Sequence, residues 1–199
     1  MRKINEIFYS LQGEGCHAGV PSVFIRFSGC NLNCWFCDTK HQSGEHFSDE
    51  EIAEKVNQWQ APWIILTGGE PSLWIDSDFV DFLKRKTGKK IAIETNGTRV
   101  LPENIDWVTL SPKLNVKGAT DAQVVLKHAD EIKVVYSGQP VDHIFSLPCA
   151  QKAVSFRLQP CYVEEYEEYQ ANVGKTIYKV LDDPRWTLSL QLHRILCIK

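Results

Sequence analysis

Six short β-rich runs punctuate a chain of 199 residues, and each ends in a polar or glycine-rich loop. Residues 22–28 lead into three closely spaced cysteines, 63–66 into Thr67-Gly68-Gly69-Glu70-Pro71, and 90–93 into Glu94-Thr95-Asn96-Gly97. Residues 107–110 reach Ser111-Pro112-Lys113, 131–136 reach Ser137-Gly138, and 154–158 reach Gln159-Pro160. Helical patterns fill several of the gaps. Ser48-Asp49-Glu50-Glu51 reads as a capping box that opens a helix through Ile52, Val56 and Trp59, because the Ser hydroxyl can take the backbone N–H three residues on while the Glu reaches back. A second helix is expected over 76–86, burying Phe79, Phe82 and Leu83 with Gly88 as its stop, and a short third over 121–128. Strand and helix alternation specifies parallel β-α units, and parallel barrels gather their chemistry on the loops after the strand carboxyl ends. A complete eight-unit barrel needs about 250 residues. This chain is therefore expected to form a single α/β domain, a partial barrel of about six parallel strands open on one side.

Charge narrows the partners. Lys and Arg total 22 against 25 Asp and Glu, a net charge of -3, which gives no basic footprint for direct nucleic-acid binding. No apolar run approaches a membrane span. Seven cysteines, an odd number, in a chain with no signal-like amino terminus fit a reducing cytoplasm in which thiolates hold metal. The expected ligand is small.

Cys30, Cys34 and Cys37 are spaced C-x3-C-x2-C, with no fourth cysteine near them in sequence. A fully ligated iron-sulfur cluster uses four thiolates, so three would leave one iron open, as a catalytic zinc site keeps an open position. The competing reading is a structural zinc site completed by His41, which would give a Cys3His set. Cys16, Cys149, Cys161 and Cys197 show no ligand spacing and read as ordinary, partly buried thiols.

The cysteine run, Gly29-Cys30-Asn31-Leu32-Asn33-Cys34-Trp35-Phe36-Cys37-Asp38-Thr39, resembles the signature of the radical S-adenosylmethionine enzymes, and Thr67-Gly68-Gly69-Glu70-Pro71 resembles their GGEP motif. That resemblance implies a partial barrel, a [4Fe-4S] cluster on the three cysteines, and S-adenosylmethionine bound to the open iron as the radical source. Asn5-Glu6-Ile7-Phe8-Tyr9-Ser10-Leu11-Gln12-Gly13-Glu14-Gly15 is similar to the segment that opens the 7-carboxy-7-deazaguanine synthases. The likeness continues through Gly19-Val20-Pro21, Phe24-Ile25-Arg26, Cys37-Asp38-Thr39-Lys40-His41, Ser111-Pro112-Lys113-Leu114-Asn115 and Gln191-Leu192-His193. It implies the ring contraction of 6-carboxy-5,6,7,8-tetrahydropterin to 7-carboxy-7-deazaguanine with loss of ammonia, on the way to queuosine of tRNA and related deazapurines.

Matching positions imply residue roles. Phe36, Cys37, Asp38, Gly68, Gly69, Glu70, Gly97, Ser111, Pro112, Lys113 and Gln159 would hold the cofactor, and Leu11, Gln12, Gly13, Arg26 and Thr95 the substrate. The Gln12 amide offers both a donor and an acceptor to a pterin edge. Arg26 would grip the substrate carboxylate, an internal ion pair being the alternative. Thr39 matches a Mg2+ position, and magnesium favours hard oxygen ligands. Glu14 could brace the turn or contact the ring, and His193 could close over the substrate or be an ordinary hydrogen-bonded histidine. The resemblance also implies a homodimer and an electron donor such as flavodoxin or ferredoxin. It divides the domain into a pocket segment (1–21), the barrel core (22–163) and a closing segment (164–199). The run 164–168 reads as a solvated helix face. Two rival functions share part of this pattern: a radical enzyme acting on another target, such as an activase of a partner protein, and a non-enzymatic zinc module.

Overall fold

The computed structural model describes residues 1–120 and 122–199. One nine-stranded sheet runs through the chain in the order β3-β1-β2-β4-β5-β6-β7-β8-β9. Its parallel core is β2 (Pro21–Phe27), β4 (Trp63–Gly68), β5 (Lys90–Thr95), β6 (Trp107–Leu110), β7 (Glu131–Tyr136) and β8 (Ser155–Pro160), the six runs read from sequence. Three strands add to them: β1 (Arg2–Leu11), antiparallel to β2, and the short edges β3 (Glu45–Phe47) and β9 (Thr187–Leu188). Antiparallel β1 occupies the edge where further parallel units would extend a full barrel, so the wall stays open.

The helices follow their caps. α1 (Asp49–Val56) starts at Ser48, whose hydroxyl accepts from Glu51 N while Glu51 takes the Ser48 N–H. It ends at Val56, short of Trp59, which lies in the following turn and stacks on Tyr9 with ring centroids 6.3 Å apart. α2 (Ser77–Thr87) has Asp76 as its cap, accepting from Phe79 N, and stops at Gly88 with φ 66°, a left-handed position that costs glycine little. The expected third helix is not formed over 122–128, and Asp121 lies outside the described residues. Adjacent β-branched Val124 and Val125 weaken a helix there, and Val125 N instead donates to Gly97 O at 2.9 Å. α3 (Tyr166–Asp182) follows β8, and its first turn carries Glu167 and Glu168. α4 (Leu192–Ile195) is a single turn. No helix among the described residues is long and apolar enough to cross a membrane.

Period-2 alternation splits the strands into two faces. Val23, Ile25 and Phe27 of β2, Ile64 and Leu66 of β4, and Ile91 and Ile93 of β5 pack under Ile52 and Val56 of α1 and Phe79 and Leu83 of α2. Fully burying each such side chain contributes about 1.5–3 kcal/mol. The opposite face carries a small apolar layer of Phe8, Phe24, Ile65 and Ala92, with Trp63 and Trp107 packed against it. Two residues further along the same strands stand Arg26, Thr67, Glu94 and Thr109. The interior of the barrel is thus greasy at its floor and polar above, which is where a reaction chamber can sit.

Candidate active site

The cluster loop and the GGEP turn are locked together by backbone. Gly69 N donates to Phe27 O (3.1 Å) and Glu70 N to Gly29 O (2.9 Å). A Cβ at Gly69 would stand 1.9 Å from Gly29 O, and Gly68 adopts φ 126° with Phe27 backbone 2.3 Å from any Cβ. Only glycines permit this approach. Glu70, 1% exposed, accepts from Ser72 N (3.0 Å), Thr95 Oγ1 (2.7 Å) and Asn96 N (2.8 Å). Its carboxylate staples the turn to the exit of β5 and keeps limited acceptor capacity for a ligand.

Cys30, Cys34 and Cys37 line one cavity together with Phe36, Thr39, Gly68, Gly69, Glu70, Thr95, Ser111, Lys113 and Gln159. Burial pushes the Cys30 and Cys34 thiols up; at Cys30 the Leu32 N–H opposes this and the Glu70 charge adds to it, while at Cys34 the ammonium of Lys113 pulls the other way. Cys30 and Cys34 become thiolates more readily against a strong positive charge, which suits iron. No group of three or more His, Cys, Asp or Glu side chains among the described residues converges as a single metal ion would require. A cubane offers a separate iron to each thiolate, and His41 is not among the residues that line the cavity with the three cysteines, so the donor set fits a cluster better than the Cys3His zinc site. Of the remaining cysteines, Cys149 and Cys161 are buried, whereas Cys16 and Cys197 are exposed.

Other cofactor-side positions sit as follows. Gln159, 4% exposed, accepts from Ser189 Oγ (3.1 Å). Lys113 donates to Ser111 O (2.9 Å) and lies 5.9 Å from the Phe36 ring centroid; burial holds its ammonium pKa down against the attraction of Cys34. Pro112 does not line the cysteine cavity; it lines a separate one with Phe36, Leu114 and Val116. Gly97 is buried, and its φ of 77° turns the chain after β5. Thr95, 3% exposed, is on this side, bonded to Glu70.

A second cavity is lined by Phe8, Leu11, Gln12, Gly13, Phe24, Arg26, Asp38 and His193, and it shares Glu14, Thr39, Thr67 and Glu94 with the first. The two cavities adjoin at those four residues, which form the waist between them. Arg26 Nε stands 3.1 Å from Glu6 Oε1 without hydrogen-bond alignment, and its guanidinium lies 5.5 Å from the Phe8 ring centroid. The internal ion pair is thus formed, and Arg26 still lines this cavity. Both ends of the Gln12 amide are engaged: Nε2 donates to Glu94 Oε1 (3.0 Å) and Oε1 accepts from Glu14 N (3.2 Å). Thr39 Oγ1 lies 3.4 Å from Asp38 Oδ1.

The waist holds charges that sequence reasoning did not single out. Lys133, from the inward face of β7, bonds Glu14 and lies 3.6 Å from Glu94 Oε1. Glu94 also accepts from Thr67 Oγ1 (3.0 Å). Burial opposes the Lys133 ammonium, but Glu14 and Glu94 outweigh it and its pKa rises. Burial likewise opposes the Glu14 carboxylate, and Lys133 with Gln191 and His193 outweighs it, holding its pKa to about 2. Glu14 braces the turn; Gln191 Nε2 donates to it at 2.8 Å. His193 packs on Gly13, where a Cβ would come within 2.3 Å of Nδ1, and burial lowers its pKa against the pull of Glu14.

Residues 24–115 match the model of the radical SAM superfamily. The chain is 52% identical over 199 residues to the 7-carboxy-7-deazaguanine synthase of Bacteroides thetaiotaomicron, covering all of both chains. It is 34% identical to that of Haemophilus influenzae, over 98% of this chain and 93% of that one. The fold matches the crystal structure of QueE from Escherichia coli with a TM-score of 0.76 and 29% identity, over 96% and 94% of the two chains. At 16% identity and a TM-score of 0.50, Streptococcus suis SuiB bound to S-adenosylmethionine shares the fold over 80% of this chain. Agreement in sequence along the full length and in fold makes this chain a member of the 7-carboxy-7-deazaguanine synthase family within the radical SAM superfamily.

Proposed function

We infer that the chain contracts the ring of 6-carboxy-5,6,7,8-tetrahydropterin to 7-carboxy-7-deazaguanine with loss of ammonia. The observation that carries this is the 52% identity to a curated synthase across the whole chain, with the cysteine cavity adjoining the cavity that holds Arg26. A [4Fe-4S] cluster on Cys30, Cys34 and Cys37 and S-adenosylmethionine would, when bound, supply the carbon radical that removes a substrate hydrogen. The remaining chemistry belongs to the chain. Phe36, Asp38, Gly68, Gly69, Glu70, Gly97, Ser111, Pro112, Lys113 and Gln159 form or brace the cofactor side. Leu11, Gln12 and Gly13 line the substrate side, where the Arg26 guanidinium would take the substrate carboxylate in a fork. Thr95, which lines the cysteine cavity and donates to Glu70, would reach the substrate from that wall. Thr39, at the waist, would offer a hydroxyl to Mg2+ alongside substrate oxygens.

The enzyme works as a homodimer in the reducing cytoplasm and draws its electron from a carrier such as flavodoxin or ferredoxin. Residues 1–21 line the pocket, 22–163 build the barrel and 164–199 close it. An anaerobic assay with the carboxytetrahydropterin, S-adenosylmethionine, reductant and magnesium tests the activity. Cys34→Ala is expected to lose cluster iron and turnover together, and retained turnover in a cluster-free Cys34→Ala protein sinks the reading. Arg26→Ala is expected to raise the KM for the pterin while cofactor cleavage stays measurable.

A further inference from the structure

The carboxyl-terminal segment makes contacts that the roles above do not use. Arg194 donates from Nε to Gln191 Oε1 (3.0 Å) and from Nη2 to Asp38 Oδ2 (3.1 Å). Its guanidinium also lies over the Tyr162 ring, 3.6 Å from the centroid. Asp38 directly follows the last cluster cysteine, and Tyr162 follows the exit of β8. Gln191 in turn bonds Glu14 at 2.8 Å, and Leu192 N donates to Gly13 O at 2.9 Å. One side chain therefore touches two loops on the cofactor side, while its neighbours hold the turn on the substrate side.

We propose that Arg194 is a positioning residue that links substrate binding to cofactor binding, by holding the cluster loop, the β8 exit and the Gly13–Glu14 turn in one arrangement. The inference rests on the function proposed above. Its chemistry suits a guanidinium alone: a planar, permanently charged fork can bond a carboxylate and an amide edge-on while stacking its face on an aromatic ring. Among the described residues Arg194 is the cation paired with Asp38. Glu14, by contrast, keeps Lys133 whatever happens at Arg194. Removing Arg194 leaves the cluster loop tied to the closing segment by the longer Gln191 Nε2 to Asp38 Oδ2 contact of 3.4 Å, which carries no charge of its own, and it strips neither half of the chamber of its own ligands. Such a cut takes away the charged link between the sites and spares each site.

The test uses the full chain with its cluster reconstituted anaerobically and no reductant present, so that ligands bind and turnover does not begin. Affinity for carboxytetrahydropterin is measured with and without S-adenosylmethionine in the unsubstituted protein, Arg194→Ala and Arg194→Lys. Coupled sites typically change each other's affinity about 5–150-fold, so we expect at least about a five-fold tightening in the unsubstituted protein. We expect the ratio to fall near one in Arg194→Ala, with Arg194→Lys between them because an ammonium can pair with Asp38 but cannot also fork and stack. Once reductant is added, Arg194→Ala should release more 5′-deoxyadenosine per product than the unsubstituted protein. An Arg194→Ala protein that keeps the full ratio overturns the proposal, as does one that loses cluster iron or its folded state, because the residue is then structural. An unsubstituted protein that turns the pterin over with no linkage overturns this inference alone, whereas one that does not turn it over overturns the function itself.

Discussion

Gly69→Ala is the substitution whose cost can be worked directly from geometry. The new Cβ would lie 1.9 Å from Gly29 O, 2.5 Å from Gly29 C and 3.1 Å from Cys30 N, all backbone atoms of the cluster loop. A Cβ needs about 3 Å from such atoms, so turn and loop must separate by roughly 1 Å. Side chains cannot absorb this, because none stands between them. Overpacking of this kind costs about 1–3 kcal/mol, and stretching the Glu70 N to Gly29 O bond adds about 0.5–1.5 kcal/mol. Taken as roughly 2–4 kcal/mol, the loss lowers the melting midpoint of a chain this size by about 4–16 °C. A misplacement of about 1 Å can also cost on the order of 100-fold in rate. Thermal melts, iron content, S-adenosylmethionine affinity and 5′-deoxyadenosine formation read the outcome. Unaltered melting together with unaltered cofactor affinity would refute the claim that backbone contact at Gly69 fixes the GGEP turn to the cysteines.

Gly174 supplies the converse, since a Cβ there meets nothing within 4 Å inside α3; Gly174→Ala should gain about 0.8–1 kcal/mol and raise the melting midpoint without changing turnover. Acid should weaken the fold through Glu14, whose folded pKa of about 2 lies below the ordinary 4.5. A depressed carboxyl stabilises fully above the unfolded value and loses that contribution as pH falls from about 4.5 toward 2. Urea midpoints of the unsubstituted protein should therefore drop across this window more steeply than those of Glu14→Gln, and parallel curves would count against the Glu14–Lys133 pair as its cause.

The parallel strands were legible because each is an apolar run ending in a loop of strong local character, and α1 and α2 because Ser48, Asp76 and Gly88 mark their ends. β1 was hidden by its own geometry. A bulge between Ile4 and Glu6 breaks the register, so apolar residues fall at 4, 7, 8 and 11 and the period-2 signal is lost. β3 and β9, of three and two residues, carry too few positions for any pattern. Glycine and cysteine motifs exposed the cofactor side, since their spacing reflects backbone contact. Lys133 went unremarked because a charged residue alternating with apolar ones in a strand reads as a solvent face, and Glu94 was read only as the start of a loop although β5 runs on to Thr95. Here that face points into the barrel, and the available signal was a charge on a parallel strand that both faces should bury. The bonds of Gln12 to Glu94 and of Arg194 to Asp38 cross 82 and 156 positions, distances over which sequence carries no local cue.

Both rims of the sheet end in stubs, three residues on one side and two on the other. β3 pairs only with Arg2, Lys3 and Ile4 of the ten-residue β1, and β9 only with Arg157 and Leu158 of β8. Past Ile4 the outer side of β1 thus has no strand beside it among the described residues, and the bulge between Ile4 and Glu6 is the device that discourages templated strand addition there.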